Sequence, residues 1–155
     1  MRQSVGIGEY RVVEAPAVLV SLGLGSCVGV ALYDPERRIG GLAHVMLPST
    51  NGTEEAANPG KYADRAIRLM LEEMLKRGAS RGRIVAKIVG GATMFKNCKS
   101  SIGERNVESV RRVLREEGIR IVGEDTGKNY GRSIEFDIKT GLLHVRSFRH
   151  GERVL

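Results

Sequence analysis

Partway along the chain the hydrophobic residues change period, and that change sets what the chain can fold into. Up to residue 47 they come in short β-branched or alternating runs at 5–13, 17–22, 28–33 and 39–47, separated by glycine, by Asp34-Pro35 and by charged turns. These read as four strands. A polar stretch follows Pro48 and suits a surface loop. From Lys61 to Arg77, Ala63, Ala66, Ile67, Met70, Leu71, Met74 and Leu75 then recur at the three- and four-residue spacing of one helix face, with Gly78 placed to end the helix. A second helix is predicted from the capping pattern Ser101-x-x-Glu104 through Val107, Val110, Val113 and Leu114 to Gly118. Residues 84–89 between the helices, and 119–122, 133–138 and 142–148 after them, return to strand patterning. The last two are joined across Lys139-Thr140-Gly141, the connection of a bulged antiparallel hairpin. Helices set among mostly antiparallel strands give an α+β fold with mixed β-sheets. Without a linker or a shift of composition, residues 1–155 are expected to form a single domain.

Composition narrows the function classes. At 155 residues and 41% hydrophobic the chain can bury a sizeable core, so disorder is not expected. No apolar run approaches the roughly 18 residues that cross a bilayer, and residues 1–11 lack the apolar stretch of a signal peptide. A soluble cytoplasmic protein without membrane insertion is the expectation. Two cysteines, Cys27 and Cys98, form neither a CxxC pair nor a disulfide framework, and three histidines are too few for a rich metal cluster, so no metal site is expected. The net charge of +7 implies an acidic partner. Nucleic acid is one candidate through phosphate neutralisation. With no Trp, three Phe and four Tyr, there is little to stack on bases, and an acidic protein surface is at least as good a partner.

The sharpest local feature is Gly23-Leu24-Gly25-Ser26-Cys27-Val28-Gly29 between two predicted strands. Its glycines let the backbone bend tightly and let a substrate approach the main chain around the sulfur. The spacing is wrong for a dinucleotide fingerprint, and Gly123 to Asn129 is one residue short of a phosphate-binding loop. A cysteine nucleophile must ionise, which a nearby imidazole or backbone N–H groups favour. His44 is the best imidazole. In the alternating run 42–46 it shares a face with Leu42 and Met46, so it is expected half-buried. Each residue also has a plain structural reading: Cys27 as a small core hydrophobe, His44 as a hydrogen-bonded core residue, Ser21 as a polar strand end. Cys98, between Lys96 and Lys99 and just before the second helix, is the alternative sulfur.

These residues resemble the CheD family of chemoreceptor glutamine deamidases. The likeness runs through Leu22 to Cys27, Tyr33-Asp34-Pro35, Gly40 to Pro48, Lys61-Tyr62-Ala63-Asp64, Lys87 to Ala92, Ile102 to Asn106, and Glu124-Asp125-Thr126-Gly127 with Gly131-Arg132, in order over nearly the whole chain. The resemblance implies an α/β sandwich similar to the catalytic domain of cytotoxic necrotizing factor toxins. It implies a cysteine amidohydrolase that converts glutamines of methyl-accepting chemotaxis receptors to glutamates through a thioester, and that binds the CheC phosphatase in organisms that have it. The family's nucleophile falls on Cys27 and its histidine on His44. Ser21 stands where the family has a threonine, and Lys128 where it has a second glycine. Gly25 and Ser26 are then expected to bind substrate, with backbone N–H groups of Ser26 and Cys27 holding the oxyanion. No cofactor is needed. A non-catalytic module for CheC or receptor, with a structural Cys27, is the alternative.

Overall fold

The computed structural model describes residues 1–48, 58–94, 101–147 and 149–155. Ten strands and two α-helices form there: β1 (Arg2–Ser4), β2 (Tyr10–Glu14), β3 (Val18–Leu24), β4 (Val28–Asp34), β5 (Ile39–Val45), α1 (Ala63–Lys76), β6 (Val85–Gly90), α2 (Ile102–Glu116), β7 (Arg120–Thr126), β8 (Arg132–Asp137), β9 (Leu143–Ser147) and β10 (Gly151–Val154). They make two five-stranded sheets, ordered β1-β3-β8-β9-β10 and β2-β5-β4-β6-β7. Each sheet is mixed. One parallel pair, β1 with β3 in the first and β6 with β7 in the second, accompanies antiparallel neighbours. The fold is therefore α+β with mixed sheets, as expected.

Alternation along β4 explains the layering. Val28, Val30 and Leu32 point to one side, where they meet Ile67, Met70 and Met74 of α1 and Val110, Val113 and Leu114 of α2. Ala31 and Tyr33 point to the other, where they meet Leu19, Ile134, Phe136 and Leu143 of the first sheet. Every residue of β4 and β5 is buried because both of their faces are covered. The order is thus sheet, sheet, helices, with the second sheet in the middle. Each fully covered Leu, Ile or Met contributes about 1.5–3 kcal/mol, so the middle sheet carries much of the apolar burial. Among the described residues no helix is long and apolar enough to cross a membrane.

Both helices form where the patterning places them. Gly78, at φ 108°, ends α1, and the Ser101 hydroxyl accepts the Glu104 N–H at 3.0 Å to cap α2. The hairpin from β8 to β9 turns through Gly141 at φ 76°, whose N–H donates to the Asp137 carbonyl. The expected first strand, 5–13, is different. Residues 2–4 form β1 in one sheet and 10–14 form β2 in the other, because Gly8 turns at φ 78° and the Glu9 carboxylate takes the Gly6 N–H between them. Two further strands carry no apolar pattern: β10, exposed throughout and held by backbone pairing to β9, and the polar end of β7, paired with β6. The predicted loop after Pro48 falls mostly outside the described residues, as does Cys98.

Candidate active site

The residues singled out from the sequence converge where the two sheets face each other. His44 lies directly across from Gly29 in the β4–β5 ladder, and both turn toward the first sheet. Cys27, two residues before Gly29, packs at the rim of that same layer. The β4–β6 pairing continues to it, since the Gly91 N–H donates to the Cys27 carbonyl at 2.9 Å. Cys27 lies just before the ladder, which ends at Val28 and Val45, and Ile134 and Leu24 of the facing sheet pack over Gly29 between it and His44.

Ser21 comes from the facing sheet. Its hydroxyl donates to the Val5 carbonyl at 2.7 Å, and His44 Nδ1 makes a longer 3.4 Å contact with that same oxygen. A carbonyl oxygen only accepts, so Nδ1 carries the proton and Nε2 the lone pair. His44 is 2% exposed, against the half-burial expected, because Val5 and Ser21 cover it from another sheet. Its Nε2 finds no hydrogen-bond partner among the described residues. Burial lowers its pKa from the ordinary imidazole value, against the opposing Val5 hydrogen bond and the Glu9 charge. Burial likewise raises the Cys27 thiol, against its own backbone N–H, which lowers it. Both shifts favour a neutral thiol beside a neutral imidazole over a resting thiolate–imidazolium pair.

Three segments hold the Gly25–Cys27 loop. The Gly25 carbonyl accepts the Ala92 N–H at 2.9 Å. Gly90, at φ 116°, passes so close that a Cβ there would lie 2.2 Å from the Cys27 carbonyl oxygen. Behind this, Thr93 N–H donates to the Lys128 carbonyl, and Lys128 takes φ 63°, so the left-handed backbone is present without the family's glycine. Arg132, its side chain fully buried, ties the same loop through the Gly127 carbonyl at 2.6 Å and the Asp125 carboxylate at 3.0 Å. The third segment is α2, where Asn106 Nδ2 donates to the Ser26 and Met46 carbonyls at 3.0 and 2.9 Å. Asn106 was not among the expected site residues. Its signal was its place, in line with Val110, Val113 and Leu114 on the apolar stripe of α2, where an amide has no reason to be unless it has partners.

Gly25 and Ser26 are half-buried, and outside them lies a shallow groove lined by Gly23, Met94, Tyr130, Gly131 and Arg146. Leu22 and Met94 are 66% and 50% exposed beside it. Among the described residues no three His, Cys, Asp or Glu side chains gather where they could hold a metal ion.

Comparison with known proteins places the chain in a family. The family model described as CheD chemotactic sensory transduction matches residues 46–147, beginning two residues after His44. Alignments to whole relatives reach across Cys27 and His44 as well. The chemoreceptor glutamine deamidase CheD of Thermotoga maritima is 49% identical over 154 residues, covering 99% of this chain and 97% of its own. A probable chemoreceptor glutamine deamidase CheD of Archaeoglobus fulgidus is 53% identical over 152 residues, covering 96% and 94%. Among solved structures, the Bacillus licheniformis hypothetical protein YfiH aligns with a TM-score of 0.48 at 17% identity over 75% of this chain and 49% of that one, a likeness too partial to build on. With a match of this extent on both counts, the chain belongs to the CheD family.

Proposed function

We propose that residues 1–155 act as one cytoplasmic deamidase domain that hydrolyses glutamine side chains of methyl-accepting chemotaxis receptors to glutamate. The relatives named above carry that activity in their names. The observation that supports it best is the free lone pair of His44 Nε2, on the same face as Cys27, with Nδ1 turned to the Val5 carbonyl.

In this reading His44 Nε2 takes the thiol proton as Cys27 Sγ attacks the glutamine Cδ. The oxyanion rests on backbone N–H groups of Ser26 and Cys27. The imidazolium returns its proton to the departing nitrogen, the C–N bond breaks, and ammonia leaves a thioester on Cys27. His44 next takes a proton from water, whose oxygen attacks the thioester carbonyl; the C–S bond breaks and the thiol is restored. Ser21 holds the Val5 carbonyl and so orients His44 from one bond away, while Gly25 and Ser26 line the approach. No metal or organic cofactor takes part. Binding of the CheC phosphatase, where an organism has it, is a second role on the same family resemblance.

A structural Cys27 in a non-catalytic binding module is the competing reading, and the raised thiol pKa favours it. Mass spectrometry decides between them. A receptor cytoplasmic fragment incubated with the protein should gain about one mass unit per modified glutamine, as hydrolysis of an amide to an acid requires. An unchanged fragment, with the protein binding it, selects the module.

A further inference from the structure

We propose that Asn106 is the positioning residue of the oxyanion hole: by holding the Ser26 carbonyl it aims the Cys27 N–H at the substrate oxygen. The inference rests on the deamidase reading above and adds to it a residue of α2 that touches neither substrate nor sulfur.

The Ser26 carbonyl and the Cys27 N–H belong to one peptide unit. That unit is trans, so the two groups point in opposite directions, and whatever fixes the carbonyl fixes the N–H. Asn106 Nδ2 fixes it at 3.0 Å from the helix side. The N–H consequently points away from α2, and it favours the ionised form of its own thiol against burial. An oxyanion formed on a carbon attacked by that sulfur would lie there. A hydrogen bond to the carbonyl also polarises the peptide and strengthens its N–H as a donor.

The second Nδ2 bond, 2.9 Å to the Met46 carbonyl, anchors the same amide two residues past His44. Asn106 thereby joins the nucleophile loop to the histidine strand just where the β4–β5 ladder stops, at Val28 and Val45. Its orientation has no alternative, since the flipped amide would set Oδ1 against two carbonyl oxygens. Oδ1 is left buried without a partner among the described residues, on a side chain that is 0% exposed.

The test separates positioning from folding by comparing two reactions of Cys27. Deamidation builds an oxyanion; alkylation by iodoacetamide, a displacement at a saturated carbon, does not. Asn106→Ala should lower kcat about 10- to 100-fold, with KM and the alkylation rate within about threefold of wild type. The control is Ser109→Ala, which removes a hydrogen bond from the same helix to the Pro48 carbonyl and should leave kcat within about threefold. Where Asn106→Ala does not melt cooperatively, Asn106→Ser takes its place, keeping a donor too short to span both carbonyls, and the same split is expected. Unchanged kcat, or alkylation falling in step with kcat, overturns the role. A wild type that alkylates but never deamidates overturns the deamidase reading, and this role with it.

Discussion

His44 is oriented by a carbonyl rather than by a carboxylate, and burial, against that contact, decides its pH behaviour. Burial keeps its pKa below the ordinary 6.5, and the base must be neutral to act. Deamidation should hold steady down to about pH 6.5 and fall only below it as His44 takes up a proton; a profile of kcat/KM with its acid limb above 7 would remove His44 as the base. Cys27→Ala should abolish turnover and leave the melting curve cooperative, His44→Ala should lose at least about 100-fold, and Cys98→Ser should change little, all read by the mass assay. Full activity in Cys27→Ala, or an equal loss in Cys98→Ser, would mean another sulfur is used. Ser21 acts at one remove. Ser21→Ala frees the Val5 carbonyl and should slow kcat several-fold, whereas Ser21→Thr keeps the hydroxyl and should match wild type. The face His44 occupies could be read from the alternation of residues 42–46. Its full burial could not, because the covering atoms belong to Val5 and Ser21 of another sheet, and although the place of Asn106 on the apolar stripe of α2 marked it, its partners, backbone atoms of two distant segments, could not be read.

The two ends of β4 are held in different ways. Cys27 precedes the strand, and Asp34 closes it about 23 Å away at strand rise. The Asp34 side chain is fully buried, receives the N–H groups of Glu36, Arg37 and Ser80, and is held by Arg83 through two contacts of 3.1 Å. Burial alone would raise its pKa; the Arg83 hydrogen bond and the three N–H groups overturn that and hold it at about 2. A depressed carboxyl stabilises the fold above its ordinary 3.8, and that contribution, roughly 2 kcal/mol, is lost as pH falls from 3.8 toward 2. Asp34→Asn should therefore cost about 2–4 kcal/mol in denaturant melts near neutral pH, with kcat per folded molecule unchanged. A variant as stable as wild type would show that the α1–β6 connection does not depend on this carboxylate. The helices and the β8–β9 hairpin were legible because their signals are local: an apolar stripe, a cap, a glycine in a three-residue turn. The break between β1 and β2 and the existence of β10 were not. Two strands that follow each other in sequence there join different sheets, and β10 is held by backbone bonds that leave no mark on side-chain pattern.

For the whole molecule, the order of strands in the two sheets depends on pairings across most of the chain, such as β3 with β8, and no local pattern encodes them. Charge is the property of the whole that the sequence does state. The net +7 predicts an acidic partner. On the surface, Arg146 lines the groove outside the Gly25–Cys27 loop and pairs with Glu135 at 3.9 Å, and the neighbouring concavity on the first sheet adds Arg153 together with Glu135 and Glu152. On the proposed deamidase reading, each modified glutamine leaves a receptor one unit more negative, so long-range attraction should grow as the reaction proceeds. Attraction of this kind acts on encounter and is screened once the Debye length falls below the separation, about 10 Å at 0.1 M salt. Raising NaCl from about 0.05 to 0.5 M should lower kcat/KM about tenfold and leave kcat within about twofold, because the bound complex has already excluded the salt. Arg146→Glu with Arg153→Glu should flatten that salt dependence without altering alkylation of Cys27. A kcat that falls as steeply as kcat/KM would place the salt effect on the chemistry, and the charge would then have no part in finding the receptor.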